Sequence, residues 1–244
     1  MSPAWPPAPE GFVRRDTGRG MLYAAAAHEA EILSRELDRG AVWERLMSKG
    51  DTVTGRGATA IVARTPGPAW RIKRMRRGGL TARVWRDRYP GASRLVALLA
   101  ASGEAARRGV PTPAAVALLV EREVGPLVRG FLATEEVEGA EDLARRAVRG
   151  EATADDVEDA MRAVRDMHDR GLDHPDLNLG NLLVAPAGAL PRVHVIDLDR
   201  VTFSDRPLSA VRRRRAIRRL ERSCAKLTGS PGSWSEAYGL TGRP

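Results

Sequence analysis

Two neighbouring stretches constrain this chain more than any others. Leu172 to Val184 read LDHPDLNLGNLLV, and Val193 to Val201 read VHVIDLDRV. They set His174, Asp176 and Asn181 in an H-x-D-L-x-x-x-N spacing, with a further acid, Asp197, directly after the run Val193-His194-Val195-Ile196. That spacing suits phosphoryl transfer, which asks little covalent chemistry of a protein. One carboxylate must orient the attacking hydroxyl and take its proton. One amide and one more carboxylate must hold a divalent cation against a triphosphate.

Asp176 is the candidate base. An Asp in this place could also cap a turn after a helix, but Asn181 five residues on and Asp197 beyond the next strand make a capping role a poor account of all three. Asn181 and Asp197 are oxygen donors suited to a hard cation such as Mg²⁺. Asp199 is the alternative to Asp197. His174 is expected to hold the loop and the Asp197 segment together by hydrogen bonds, and His168 to pack at the end of the preceding helix.

The rest of the chain supplies a nucleotide site of the same kind. Gly55-Arg56-Gly57-Ala58-Thr59-Ala60 resembles G-x-G-x-x-G with Ala in the last place. Gly55 and Gly57 let backbone N–H groups approach phosphates, although an ordinary hairpin turn would look the same. Lys73 lies eighteen residues beyond Gly55 on a third strand, where an ammonium can pair with phosphates. Arg71 and Arg74 compete with it. Glu104 is the only acid between Asp87 and Glu121, and is either the partner of Lys73 or a solvated residue. The main chain around Glu136 and Val137 is expected to meet the adenine, with the Glu side chains solvated.

Element signals agree with this order. Residues 1 to about 20 are rich in Pro, Gly and Arg and read as a flexible arm. Ala27 to Met47 carry helical periodicity with a break at Gly40. Strands follow around the Gly turn and around Thr65-Pro66-Gly67-Pro68. Ser93 opens a helix to Gly109, and Gly125-Pro126 joins two more strands. After Gly139 come helices over Ala140 to Val148 and Thr153 to Arg170, the loop, two short strands (Leu182 to Ala185 and Val193 to Asp197), and a helix over Ala210 to Leu227. The expected fold is α+β and bilobal, protein-kinase-like, with a small antiparallel-sheet N-lobe, a mainly helical C-lobe and a cleft at the junction. The divisions are an arm and helix over 1–40, an N-lobe over 41–138 and a C-lobe over 139–244.

Composition bounds the setting. With 43% hydrophobic residues the 244-residue chain can bury a core. The single cysteine, Cys224, rules out an internal disulfide and a multi-cysteine zinc site, and is expected to be a buried thiol. The first residues lack the basic-then-apolar pattern of a secretory signal, and no apolar run approaches the roughly 20 residues of a membrane span. A cytoplasmic protein is expected. The net charge of +9 favours polyanionic partners. It is concentrated in Arg71 to Arg88 and Val211 to Arg222, which could also be plain solvated faces.

The chain resembles the lipopolysaccharide core kinases, the 3-deoxy-D-manno-octulosonic acid (Kdo) and heptose kinases of Gram-negative bacteria, and most of all the Kdo branch. The resemblance rests on GRG at Gly55 to Gly57, KRMRRGGLTARVWRDRY at Lys73 to Tyr89, GVPTP at Gly109 to Pro113, HPDLNLGN at His174 to Asn181, VIDLDR at Val195 to Arg200, and RRLERSCAKL at Arg218 to Leu227. It implies ATP-dependent, Mg²⁺-assisted phosphorylation of a sugar hydroxyl on lipid A-linked core, at the cytoplasmic face of the inner membrane. It carries over Asp176 as base and Asn181 and Asp197 as metal ligands. It implies attraction of both basic clusters to an anionic membrane surface, with no nucleic-acid partner. The loop alone would fit an aminoglycoside-like or protein kinase equally well. A catalytically silent nucleic-acid-binding module would keep the basic charge but has no need of the three oxygen donors.

Overall fold

A computed structural model describes residues 5–49, 52–53, 57–62, 67–76 and 87–240. The chain divides into two compact units, one formed by Met1–Gly103 with Ala114–Glu136, the other by Glu104–Pro113 with Val137–Pro244.

The first unit is built on an antiparallel sheet. Its strands are β1 (Phe12–Asp16), β2 (Gly20–Ala25), β3 (Thr52–Val53), β4 (Gly57–Val62), β5 (Trp70–Arg74), β6 (Tyr89–Pro90), β7 (Ala115–Arg122) and β8 (Leu127–Glu135). They lie in the order β1-β2-β7-β8-β5-β4-β3, with β6 paired to β8. Helices α1 (Glu29–Ser34) and α2 (Gly40–Lys49) give Ile32 and Trp43 to a core shared with Leu22, Trp70, Ile72, Leu119 and Phe131. The Trp43 indole N–H donates to Leu37 O at 2.8 Å, so its polar edge is satisfied inside that core. On α3 (Ser93–Arg107), Leu95 sits where a Cβ on Gly130 of β8 would otherwise stand.

The flexible arm expected at the N-terminus is corrected here: residues 12–25 are two strands of this sheet. Leu22 pairs with Leu119 and Gly20 with Glu121. A side chain at Gly20 would collide with the Val120 carbonyl, so the glycine that reads as loop punctuation permits a close strand approach. Strand β1 escapes a periodicity reading because it is an edge strand, with exposed Arg14, Arg15 and Asp16.

The second unit holds α4 (Leu143–Val148), α5 (Ala154–Asp169), α6 (Ala210–Thr228), α7 (Trp234–Ala237) and short strands β9 (Glu141–Asp142), β10 (Leu172–Asp173), β11 (Leu182–Val184), β12 (Val193–Val195) and β13 (Thr202–Phe203). Thr153 opens α5 through a capping box: its hydroxyl accepts from Asp156 N at 3.1 Å, and Asp156 accepts from Thr153 N at 3.0 Å. The spacing Ala160, Met161, Val164, Met167, His168 gives α5 one buried face. The first expected helix of this unit starts later than its pattern implied. Asp142 caps it by accepting from Arg145 N at 3.0 Å, and Glu141–Asp142 instead pair with Leu183 and Val184. Cys224 is a buried free thiol, as expected. The observed class is thus an antiparallel sheet with few helices followed by a mainly helical unit, the α+β composition read from the sequence.

Candidate active site

The loop bearing Asp176 is anchored before it begins. Helix α5 stops at Gly171, where φ is +78° and an added Cβ would strike the Ser204 carbonyl. Only glycine takes both conditions without strain. Ser204 N then donates to Gly171 O at 2.9 Å, and Leu172–Asp173 pair with Thr202–Phe203. Arg108 clamps the junction by donating to Arg170 O at 3.0 Å and Ser204 O at 2.5 Å.

Within the loop, Asp176 points an exposed carboxylate outward while its backbone carbonyl is held inward. That carbonyl accepts from Asn178 Nδ2 at 2.8 Å and from Asn181 Nδ2 at 3.0 Å. Asn178 Oδ1 accepts in turn from Gly180 N at 2.9 Å, an Asx turn that tightens the loop. Asn181 is buried, and donating its Nδ2 to Asp176 leaves Oδ1 on the opposite corner of the amide as the group a cation could use.

Asp197 reaches the same region from the hairpin β11–β12. Leu182 pairs with Val195, and Ile196 N donates to Asn181 O at 2.9 Å, which joins the metal-ligand candidates through one backbone bond. The strand expected to run to Asp197 ends at Val195 instead. Asp197 has φ of +62°, a left-handed conformation uncommon for a non-glycine residue, and its side chain is exposed. His174 closes the assembly: its ring is fully buried and Nε2 donates to Ile196 O at 3.1 Å. A carbonyl only accepts, so Nε2 carries the proton in the neutral ring, and Nδ1 has no hydrogen-bond partner among the described residues. Burial lowers the His174 pKa, and the opposing pull of Asp197 and Asp176 does not reverse it.

Helix α6 completes the support. Arg219 Nη2 donates to His174 O at 3.0 Å, and Arg212 lies 3.2 Å from the Asp173 carboxylate. Burial, ahead of any charge, pushes the Arg219 guanidinium below the usual arginine range.

The remaining expected site residues stand on other elements. Gly55 and Arg56 lie outside the described residues, while Gly57 opens β4. Lys73 stands on β5 opposite Thr59 and Leu132. Its competitor Arg71 is engaged bidentately by Glu136, both contacts at 2.5 Å. The solvated side chain expected for Glu136 is corrected accordingly: its carboxylate is mostly covered, because a guanidinium fork meets it face on. Glu136 N also donates to Ala69 O at 2.7 Å. Val137 O accepts from Ala140 N at 3.1 Å. Glu104 binds Arg107 at 2.7 Å and Arg108 at 2.5 Å along its own helix, and those hydrogen bonds, Arg108 first, hold its carboxyl below the usual range. His168 is buried and its Nδ1 meets the Tyr238 hydroxyl at 2.7 Å. Among the described residues no three His, Cys, Asp or Glu side chains cluster as a metal site.

The model of the lipopolysaccharide kinase (Kdo/WaaP) family matches residues 41–238. The chain belongs to that family. A 3-deoxy-D-manno-octulosonic acid kinase of Xylella fastidiosa (strain M12) is 34% identical over 179 residues, 72% of this chain and 69% of that protein. One from Xanthomonas campestris pv. campestris (strain B100) is 36% identical over 165 residues, 65% of this chain and 63% of that protein. A solved structure, WaaP in complex with acyl carrier protein, is 22% identical and covers 86% of this chain and 87% of its own, with a TM-score of 0.49, too low to add to the assignment. As a lipopolysaccharide kinase the protein is an ATP-using phosphotransferase, the enzyme class that its motifs imply.

Sequence reasoning overlooked three supports of this kinase loop. Asn178 could have been found, since Asn followed two residues later by Gly is an Asx-turn signal. Arg219 and Arg212 could not. They sit in a run of arginines that look alike until the helix phase selects two of them to face Asp173 and His174.

Proposed function

We propose that this protein transfers the γ-phosphoryl group of ATP to a hydroxyl of Kdo in the lipopolysaccharide inner core, with Asp176 as the base, at the cytoplasmic face of the inner membrane. The observation that carries the chemistry is the exposed Asp176 carboxylate on a backbone fixed from three sides, by Asn178, by Asn181 and through His174. The Kdo acceptor is supported by the relatives that bear that name.

Asp176 accepts a hydrogen bond from the sugar hydroxyl, aims its oxygen at the γ-phosphorus and takes its proton as the new P–O bond forms. The bond from the γ-phosphorus to the bridging oxygen breaks, and ADP leaves with that oxygen. Asn181 Oδ1 and the Asp197 carboxylate would hold Mg²⁺, whose donors fit a hard cation that keeps waters and phosphate oxygens as its other ligands. When bound, the ion neutralises charge on the phosphates. The left-handed turn at Asp197, the buried amide of Asn181 and the Ile196 N to Asn181 O hydrogen bond between their segments support this pairing. His174 is a positioning residue, because its fully buried ring cannot reach a substrate proton. Lys73 is assigned to the α- and β-phosphates, Gly55, Arg56 and Gly57 to the phosphate turn, and the main chain of Glu136 and Val137 to adenine.

No described helix is long and apolar enough to cross a membrane. Attachment to the bilayer surface would then rest on basic side chains. Incubation with Kdo-lipid A, ATP and Mg²⁺, followed by mass spectrometry, should yield one added phosphate, and Asp176→Ala should reduce turnover by at least a hundredfold. Turnover on an aminoglycoside or free sugar without any phosphorylated Kdo-lipid A would refute the acceptor.

A further inference from the structure

Helix α6 carries more positive charge than its own fold uses. It opens on Ser209, whose hydroxyl accepts from Arg212 N at 3.4 Å, and closes on Gly229 in the left-handed region. Ala216, Ile217, Leu220 and Cys224 form its buried face. At about 100° per residue, Val211, Arg214, Arg215, Arg218 and Arg222 fall within one arc of about 100° on the opposite side. They line a shallow groove on the helix surface.

Three neighbours have work inside the protein. Arg212 and Arg219 hold Asp173 and the His174 carbonyl, and Arg213 pairs with Asp169 at 2.6 Å. The side chains of Arg214, Arg215, Arg218 and Arg222 are exposed and make no ion pair or hydrogen bond among the described residues. The one acid of the helix, Glu221, is bound to Ser235. Local electrostatics oppose the arrangement. The first turn has no acid to complement the helix dipole, and Arg214, Arg218 and Arg222 stack like charges at four-residue spacing. No described acid pairs with these four side chains to offset that repulsion, whereas a negatively charged plane would.

We propose that this stripe of α6 seats on an anionic phospholipid bilayer and so holds the Asp176 loop, tied to the same helix through Arg219 and Arg212, beside the membrane surface. The inference rests on the kinase reading above and names the surface that reading lacks. Four guanidiniums spread over about 12 Å of helix match a plane of phosphate headgroups. Val211, 74% exposed at one end, can enter the headgroup layer. No aromatic side chain stands in the stripe to stack on bases, which disfavours a single-stranded nucleic acid.

The test is flotation of the full chain with vesicles of phosphatidylcholine alone or mixed equally with phosphatidylglycerol. Binding should require phosphatidylglycerol and weaken with salt. Each Arg→Gln change at 214, 215, 218 or 222 should lower affinity about fivefold at low ionic strength. Four Arg→Lys changes should leave it within about fivefold, because charge is conserved. Circular dichroism and melting temperature report whether the fourfold Gln variant is folded. If it is not, the pair Arg214→Gln/Arg218→Gln should still lose about 25-fold. Vesicle binding unchanged in the Gln variants overturns the proposal. So does binding only when Kdo-lipid A is present, which would make the stripe a substrate subsite, and so does RNA binding that depends on the same arginines without vesicle binding. Wild type that turns over ATP on Kdo-lipid A yet ignores anionic vesicles sinks this inference alone. Wild type that binds vesicles without phosphorylating Kdo-lipid A sinks the catalytic reading alone.

Discussion

His168 should make this protein acid-sensitive by an amount that can be worked out. Its ring is fully buried at the end of α5, Nδ1 meets the Tyr238 hydroxyl, and Nε2 has no partner among the described residues. Burial, then the nearby Arg213 guanidinium, pushes its pKa down from 6.5 to about 3. The unfolded chain takes up this proton near pH 6.5 and the folded one only near pH 3. The folded state is therefore unpenalised above pH 6.5 and loses stability progressively as the pH falls from 6.5 towards 3. At about 1.4 kcal/mol per unit, the loss from this one ring between pH 7 and pH 5 is about 2 kcal/mol. Any native pKa below 4 gives the same figure at pH 5. His174, lowered in the same direction by burial, adds to it. Urea-unfolding free energies measured at pH 7, 6 and 5 should fall more steeply for wild type than for His168→Gln, which keeps an amide to face Tyr238 but cannot take the proton. The difference in loss between pH 7 and 5 should be about 2 kcal/mol. Parallel curves would refute the reasoning, since the buried ring would then be accepting a proton without penalty.

Other perturbations probe the loop itself. Asn178→Ala and Asn181→Asp each remove a donor from the Asp176 carbonyl; each should lower kcat by about ten- to a hundredfold, from about 1–3 kcal/mol per bond lost. Asn181→Asp should keep its dependence on Mg²⁺, because a carboxylate oxygen replaces the amide oxygen, and a titration of rate against Mg²⁺ checks this. Arg219→Met should reduce kcat about tenfold or more while leaving the KM for ATP within about twofold, because it frees the His174 carbonyl rather than touching nucleotide. A raised KM with unchanged kcat would contradict that role. Gly171→Ala combines a positive φ with a collision at Ser204 O, so thermal melting should report a loss of at least about 2 kcal/mol.

Much of this was legible because the decisive signals are local. The H-x-D-L-x-x-x-N spacing is read along one loop, Thr153 and its Asp156 form a cap within one turn, and α5 and α6 declare themselves by period. Strand β1 was lost for the opposite reason. An edge strand buries too little to alternate, and Gly20 owes its place to a neighbour about a hundred residues away in sequence, Val120. The Glu136 side chain was misread as solvated because its partner, Arg71, lies 65 positions away and is brought alongside only when β5 pairs with β8.

The sequence by itself determined the chemistry on offer: a carboxylate, an amide and a second acid at intervals that suit phosphoryl transfer, and a surplus of positive charge near the C-terminus. Tertiary structure decided which arginines of that surplus face inward. Arg219 and Arg212 grip the Asp176 loop while Arg214, Arg215, Arg218 and Arg222 face solvent, though all six are the same residue. Composition cannot make that division. It depends on the phase with which α6 buries Ala216, Ile217, Leu220 and Cys224, and that phase is fixed by packing against the rest of the unit.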